Sequence, residues 1–248
     1  MRVSRQQRPI HIKSANMNNL PHFLGIGAQK SGTTWLYRQL RQHPAIFMPA
    51  AKELRFFFDS KESCAWYRSQ FQPARHDQLC GEITPEYMIK RGAASQIADL
   101  LPKVKLICLL RNPMERVFSQ WCMARQFGNI PRDVPLLTAF QANLQFMRER
   151  GHYAQHIENY RQWFPDHQLK VLLYDNLVQD PRGLWQEVLR FLGVDETFVP
   201  ADFLAPVNRR ETNEQLAVAE RDHIAEYYFP WNQQLSRQLG PRFGQWSS

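Results

Sequence analysis

The sequence predicts an α/β protein in three layers, with helices on both faces of a central parallel sheet. Two observations lead there. Short apolar segments alternate with segments of helical period, and parallel strands need crossovers of that kind between them. Residues 104–110 read VKLICLL, nearly all apolar, as a strand buried on both faces does.

The elements follow in order. His22–Ile26 is an apolar strand that runs into glycines. Thr34–His43 has Leu36 and Leu40 one turn apart and reads as a helix. Pro44 and Pro49 bracket a short extended piece, and Leu79–Ile83 is a further strand. Gly92–Leu101 is a helix stopped by Pro102. After the Val104–Leu110 strand, Asn112 is placed to cap a helix, with Pro113 at its first position and Glu115 completing a capping box. Two more helices are expected over about 135–148 and 152–163, then a strand over Leu169–Tyr174. Leu184, Val188 and Leu192 share the inner face of the next helix, and a last helix runs from about Glu214 to Leu239.

The 248 residues are 44% apolar, which suffices for one core without disulfide support. A single domain is expected over 21–248, behind a basic polar arm of residues 1–20. Lys and Arg outnumber Asp and Glu by 31 to 23, so an anionic partner is favoured. Cys64, Cys80, Cys108 and Cys122 show neither CxxC nor zinc spacing; they suit a reducing compartment, with a Cys64–Cys80 pairing left open. No apolar run approaches the length of a membrane span, and the arm lacks the apolar stretch of a signal peptide. A cytoplasmic protein is expected, the alternative being a lumenal catalytic domain without its anchor.

The first strand leads into Gly25-Ile-Gly27-Ala-Gln-Lys30-Ser31-Gly32-Thr33-Thr34 and then a helix. Glycines let backbone N–H groups turn toward an anion, and a helix N-terminus adds positive potential. Lys30 brings a full charge, and Thr33 and Thr34 bring hydroxyls. Against the pattern GxxxxGK[ST], Gly27, Gly32 and Thr34 fit, but Thr33 stands at the lysine position and the lysine has moved back to Lys30. A nucleoside-triphosphate loop needs that lysine on the β- and γ-phosphates and a magnesium on the next hydroxyl. This loop therefore points to a different phosphorylated donor, with no metal required.

Gln29-Lys30-Ser31-Gly32-Thr33-Thr34-Trp35 resembles the 5′-phosphosulfate loop of the sulfotransferases that use 3′-phosphoadenosine 5′-phosphosulfate. The resemblance implies a P-loop NTPase-like sulfotransferase fold. It implies that Lys30, Ser31, Gly32, Thr33 and Thr34 bind the phosphosulfate, and that Lys30 also steadies charge on the leaving oxygen. Leu110 to Ser119 resembles the family's 3′-phosphate motif, which implies that Arg111 and Ser119 bind that phosphate. An arginine fork suits phosphate oxygens, and strand C-terminal ends are where open α/β sheets bind ligands. Asn208-Arg209-Arg210 falls where relatives close a basic loop over the nucleotide, and it reads equally as a solvated turn.

Lys52-Glu53-Leu54-Arg55-Phe56-Phe57 resembles the KExxFF pattern of the glycosaminoglycan-type branch and its bacterial relatives, implying Glu53 as catalytic base. Attack by a hydroxyl on sulfur needs a base, and the adjacent aromatics would desolvate that carboxylate. Two departures stand out. Arg55 replaces a histidine common in that branch. Gly81-Glu82-Ile83-Thr84-Pro85 has Ile83 where relatives carry lysine, so a heparan-like acceptor loses support. Arg55, Glu82 and Tyr153 are candidate acceptor contacts. Arg150-Gly151-His152-Tyr153, Tyr174–Leu177, Phe229–Asn232 and Gly244–Trp246 resemble further family landmarks, extending the likeness over about 20–248. His152 and His156 are spaced i, i+4 without HExxH or a third ligand, so a metal site is not expected.

The expected reaction is sulfuryl transfer to a hydroxyl. A carbohydrate acceptor comes first; a small metabolite or carrier-bound hydroxyacyl chain comes second. The rivals are a P-loop kinase and a non-catalytic module binding an anionic glycan or nucleic acid. A nucleic-acid partner is not expected.

Overall fold

The structure, a computed structural model, describes residues 20–205, 217–243 and 246. Five strands form one sheet: β1 (Phe23–Gly27), β2 (Ile46–Phe47), β3 (Leu79–Ile83), β4 (Lys105–Leu110) and β5 (Leu169–Leu173). Their order is β2-β3-β1-β4-β5, and all neighbours pair in parallel. The expected parallel sheet with flanking helices is what the chain forms.

Strand alternation explains both apolar layers. Leu106, Cys108 and Leu110 of β4 enter one core, and Ile107 and Leu109 enter the other. The first core is covered by α3 (Ala93–Leu100) and α6 (Tyr153–Arg161), through Ala94, Ile97, Ile157 and Tyr160. The second is covered by α1 (Thr33–Leu40) and α8 (Pro181–Leu192), through Leu36, Leu40, Leu184, Val188 and Leu192. Each such aliphatic side chain contributes about 1.5–3 kcal/mol when fully buried. A third core joins α4 (Pro113–Gln126), α5 (Leu136–Gln141) and α9 (Val218–Leu239). Two short helices complete the set, α2 (Cys64–Ser69) and α7 (Tyr174–Gln179).

Three expectations change. The helix over 135–148 is only α5, followed by tight turns at Leu144–Phe146 and Glu149–Gly151. Asn143, Gln145 and Phe146 take left-handed backbone conformations that end the helix, and the turns that follow are tied to α4. Buried Arg116 donates to the Met147 carbonyl, and the Gln120 amide donates to that of Gln145. Asn112 does cap α4 through Met114 N–H at 3.0 Å, but Glu115 pairs with Arg111 and makes no capping box. The last helix begins at Val218, and residues 214–216 lie outside the described residues. Cys64 and Cys80 are free thiols, as are Cys108 and Cys122. Among the described residues, no helix is long and apolar enough to cross a membrane.

Candidate active site

The phosphate loop occupies the C-terminal end of the central strand. Gly25 lies against Ile83, where a Cβ would meet the side chain at 2.6 Å, so a larger residue would push β1 and β3 apart. Gly32 precedes α1 with φ +88, a left-handed conformation that suits glycine, and a Cβ there would meet Leu177 at 2.8 Å. No side chain caps the first turn of α1. Its orphan N–H groups therefore remain available to an anion. The Ser31 hydroxyl beside them is fully buried, lies next to the Tyr153 hydroxyl and makes no geometrically sound hydrogen bond among the described residues. Uncapped N–H groups, an under-used buried hydroxyl and Lys30 make a donor set that fits an anionic phosphosulfate.

Arg111 follows the end of β4 directly. Its Nη1 donates to the Lys30 carbonyl at 3.3 Å, its Nε pairs with Glu115 at 3.0 Å, and its guanidinium lies 4.5 Å from the Tyr174 ring centre. Ser119 lies two turns further along, on the face of α4 that also carries Met123 four residues on. The Met123 sulfur lies 3.7 Å from Lys30 Nζ. Lys30 and Arg111 thus meet at the loop, and Ser119 lies one turn before the Met123 that Lys30 touches. Asn208, Arg209 and Arg210 lie outside the described residues.

Glu53 reaches the same sheet edge by a different device. Its backbone has φ +67, and that of Arg55 has φ +57, conformations costly for residues with a side chain. Two backbone N–H groups hold the turn. Glu53 donates to the Ile83 carbonyl at 3.1 Å, and Arg55 donates to the Thr84 hydroxyl at 3.2 Å. The Glu53 side chain is 35% exposed and pairs with Lys52. It is therefore ion-paired at the surface of the cleft, where the sequence suggested desolvation by Phe56 and Phe57. Those rings instead pack around Tyr67, with Phe56 stacked on it at 4.2 Å.

Two candidate acceptor contacts are corrected. Glu82 is buried, and its carboxylate accepts from Tyr67 and Tyr87 at 2.9 and 2.7 Å and from Thr84 at 2.8 Å. Burial raises its pKa, and these donors partly offset the shift. With its oxygens taken, it supports the Glu53 turn and does not face an acceptor. Tyr153 is also buried, and its hydroxyl donates to the Arg111 carbonyl at 3.0 Å. It holds the arginine's strand end in place, with Trp246 packed on its ring. Arg55 remains at the cleft, forked onto Asp59 at 3.0 and 2.7 Å and 3.5 Å from Glu86. The Asp59 bond raises its pKa further.

His152 and His156 are engaged elsewhere. His152 bonds the Tyr227 hydroxyl at 2.9 Å and stacks on Trp231, while His156 bonds the Glu149 carbonyl at 2.7 Å. Sequence reasoning gave no role to Gln29 and Glu86. Gln29 adjoins Lys30, and its amide nitrogen lies 3.5 Å from Glu86 in the turn after β3. The signal available was their place within the two glycine-bearing segments. An apolar cavity of about 250 Å³, lined by Phe23, Leu100, Leu101, Val104 and Leu192 among others, opens at the opposite edge of the sheet, away from these groups.

Comparisons with known proteins give the family and the fold. Residues 20–207 match the sulfotransferase domain family, and the chain belongs to it. It is 31% identical over 211 residues to the human bifunctional heparan sulfate N-deacetylase/N-sulfotransferase 3, covering 77% of this chain and 24% of that protein. It is 29% identical over 202 residues to the mouse heparan sulfate glucosamine 3-O-sulfotransferase 3B1, covering 77% of this chain and 51% of that one. The chain thus matches about half or less of these relatives' length. The crystal structure of a sulfotransferase from Alicyclobacillus acidocaldarius superposes with a TM-score of 0.81 at 25% identity, covering 92% of this chain and 99% of that one. A mouse sulfotransferase complexed with PAP shares the fold at a TM-score of 0.60 and 14% identity, covering 92% and 88%.

Proposed function

We propose that the protein transfers a sulfuryl group from 3′-phosphoadenosine 5′-phosphosulfate to a carbohydrate hydroxyl. The observation that carries this is the convergence of the Lys30 loop, Arg111 and the pinned Glu53 turn on one sheet edge, in a chain of the sulfotransferase domain family. Lys30, Ser31, Gly32, Thr33 and Thr34 would hold the 5′-phosphosulfate, and Arg111 and Ser119 the 3′-phosphate. The donor supplies the sulfuryl group and a phosphate leaving group.

The protein's own part is positioning and electrostatics. Glu53 takes the proton of the acceptor hydroxyl as its oxygen bonds to sulfur. The bond from sulfur to the bridging oxygen breaks, and Lys30 steadies the negative charge gathering on that oxygen. The bisphosphate leaves, and Glu53 returns its proton to water. Lys52 pairs with the Glu53 carboxylate and holds it in place beside the loop. The displaced lysine of the loop favours a reaction that persists with a chelator present.

The test is transfer from labelled donor to a panel of glycans, with calorimetric titration of 3′,5′-adenosine bisphosphate alongside. Glu53→Gln is expected to slow transfer about 10²–10⁴-fold, the usual worth of a general base, with bisphosphate affinity kept. Unchanged transfer in that variant would remove Glu53 from the mechanism.

A further inference from the structure

Beside the Glu53 turn lies a group of polar atoms that the donor site does not use. Glu86 is 6% exposed, and its Oε2 is buried with no hydrogen-bond partner among the described residues. Gln29 Oε1 and Arg150 Nη1 are in the same condition. Gln29 and Glu86 are neighbours, since Gln29 Nε2 and Arg55 Nη1 each lie 3.5 Å from Glu86 Oε1. The Gln29 amide nitrogen faces that carboxylate, so its oxygen points away. Arg150 stands in the turn before α6, where its Nε donates to the Gln145 carbonyl at 3.2 Å. Burial lowers its pKa to about 10, and Glu86, Arg55 and Glu53 all bear on its charge.

The free atoms are two acceptors and one donor, held by side chains of opposite charge. The acceptors call for donors and the donor for an acceptor, and a hydroxyl supplies both. A carboxylate or sulfate would pair with Arg150 but press against Glu86, whose buried carboxylate would then face a like charge. Ile83 adds no compensating cation, since it stands fully buried in the second core.

We propose that Gln29, Glu86 and Arg150 form an acceptor subsite beside Glu53 that holds a neutral polyhydroxyl group, and that Glu86 turns away acceptors carrying an anionic group there. This rests on the sulfuryl-transfer reading above and narrows its acceptor to uncharged sugars or polyols.

The experiment compares neutral oligosaccharides with their hexuronate counterparts, using the full chain and labelled donor. Wild type, Glu86→Gln and Glu86→Lys are measured, with bisphosphate affinity recorded for each. Wild type is expected to favour the neutral member by about tenfold or more in kcat/KM, the worth of one buried hydrogen bond to a charged group. Glu86→Gln should narrow that ratio and Glu86→Lys should reverse it, with bisphosphate affinity held within about threefold. Wild-type preference for the hexuronates, or a ratio unmoved by Glu86→Lys, overturns the subsite. Bisphosphate binding without transfer to either series also overturns it while leaving the donor site standing. Failure to bind the bisphosphate overturns the donor site itself, and the subsite with it.

Discussion

Arg111 shows how much a single side chain can be asked to do here. It touches the loop through the Lys30 carbonyl, is oriented by Glu115, and lies over Tyr174. A lysine would keep the charge but lose the fork and the planar stack. Arg111→Lys is therefore expected to weaken 3′,5′-adenosine bisphosphate about tenfold, as loss of one charge-assisted bond would, with little change in thermal stability. Calorimetry and thermal unfolding check both halves. At this scale the sequence was readable for where the loop, Arg111 and Glu53 sit relative to the strand ends, because short motifs carry backbone geometry and charge together; the surroundings of Glu53 were not, since Phe56 and Phe57 pack on Tyr67 and leave it to Lys52. It was not readable for Glu82 and Tyr153. Whether a polar side chain faces a cleft or a core depends on partners such as Tyr67, Tyr87 and the Arg111 carbonyl, which come from distant segments.

The Glu53 turn and the α4–α9 region set the behaviour of elements. The turn keeps two positive-φ residues because the Glu53 and Arg55 N–H groups are caught by the Ile83 carbonyl and the Thr84 hydroxyl, and Thr84 is itself held by the Glu82 carboxylate. Glu82→Leu would leave the Tyr67, Tyr87 and Thr84 hydroxyls without their acceptor. It is expected to destabilise the fold by roughly 3 kcal/mol or more, each stranded buried group costing about 1–3. Denaturant unfolding reads the loss. His152 makes a pH prediction. Burial lowers its pKa to about 4, below the ordinary 6.5, so the unfolded chain takes up the proton first as pH falls. The stability tied to the neutral ring is whole above pH 6.5 and drains away as pH drops toward 4. The thermal midpoint of wild type should fall faster over that window than that of His152→Gln. Parallel midpoints would contradict this. Residues 135–148 do not form one helix because left-handed backbone at Asn143, Gln145 and Phe146 ends it and Arg116 and Gln120 anchor the turns that follow, a tertiary effect that local periodicity does not carry.

For the whole molecule, the parallel sheet was legible from alternation alone; β1, β3, β4 and β5 fall where strands were expected, and β2 falls in the short extended piece between Pro44 and Pro49. Strand order was not legible, yet it does the functional work. Placing β1 between β3 and β4 sets the Lys30 loop between the Glu53 turn and Arg111. The proposed acceptor subsite draws on segments with weak local signal, the turn after β3 and the turns before α6, so only the assembled fold suggests it.

The most direct test is single-turnover transfer of labelled sulfuryl from 3′-phosphoadenosine 5′-phosphosulfate, with chelator present, in wild type and Glu53→Gln. The predicted result is labelled acceptor from wild type and transfer slowed about 10²-fold or more in the variant, with both binding 3′,5′-adenosine bisphosphate equally. Equal rates in the two proteins, or transfer that collapses on chelation and returns with magnesium, would contradict it.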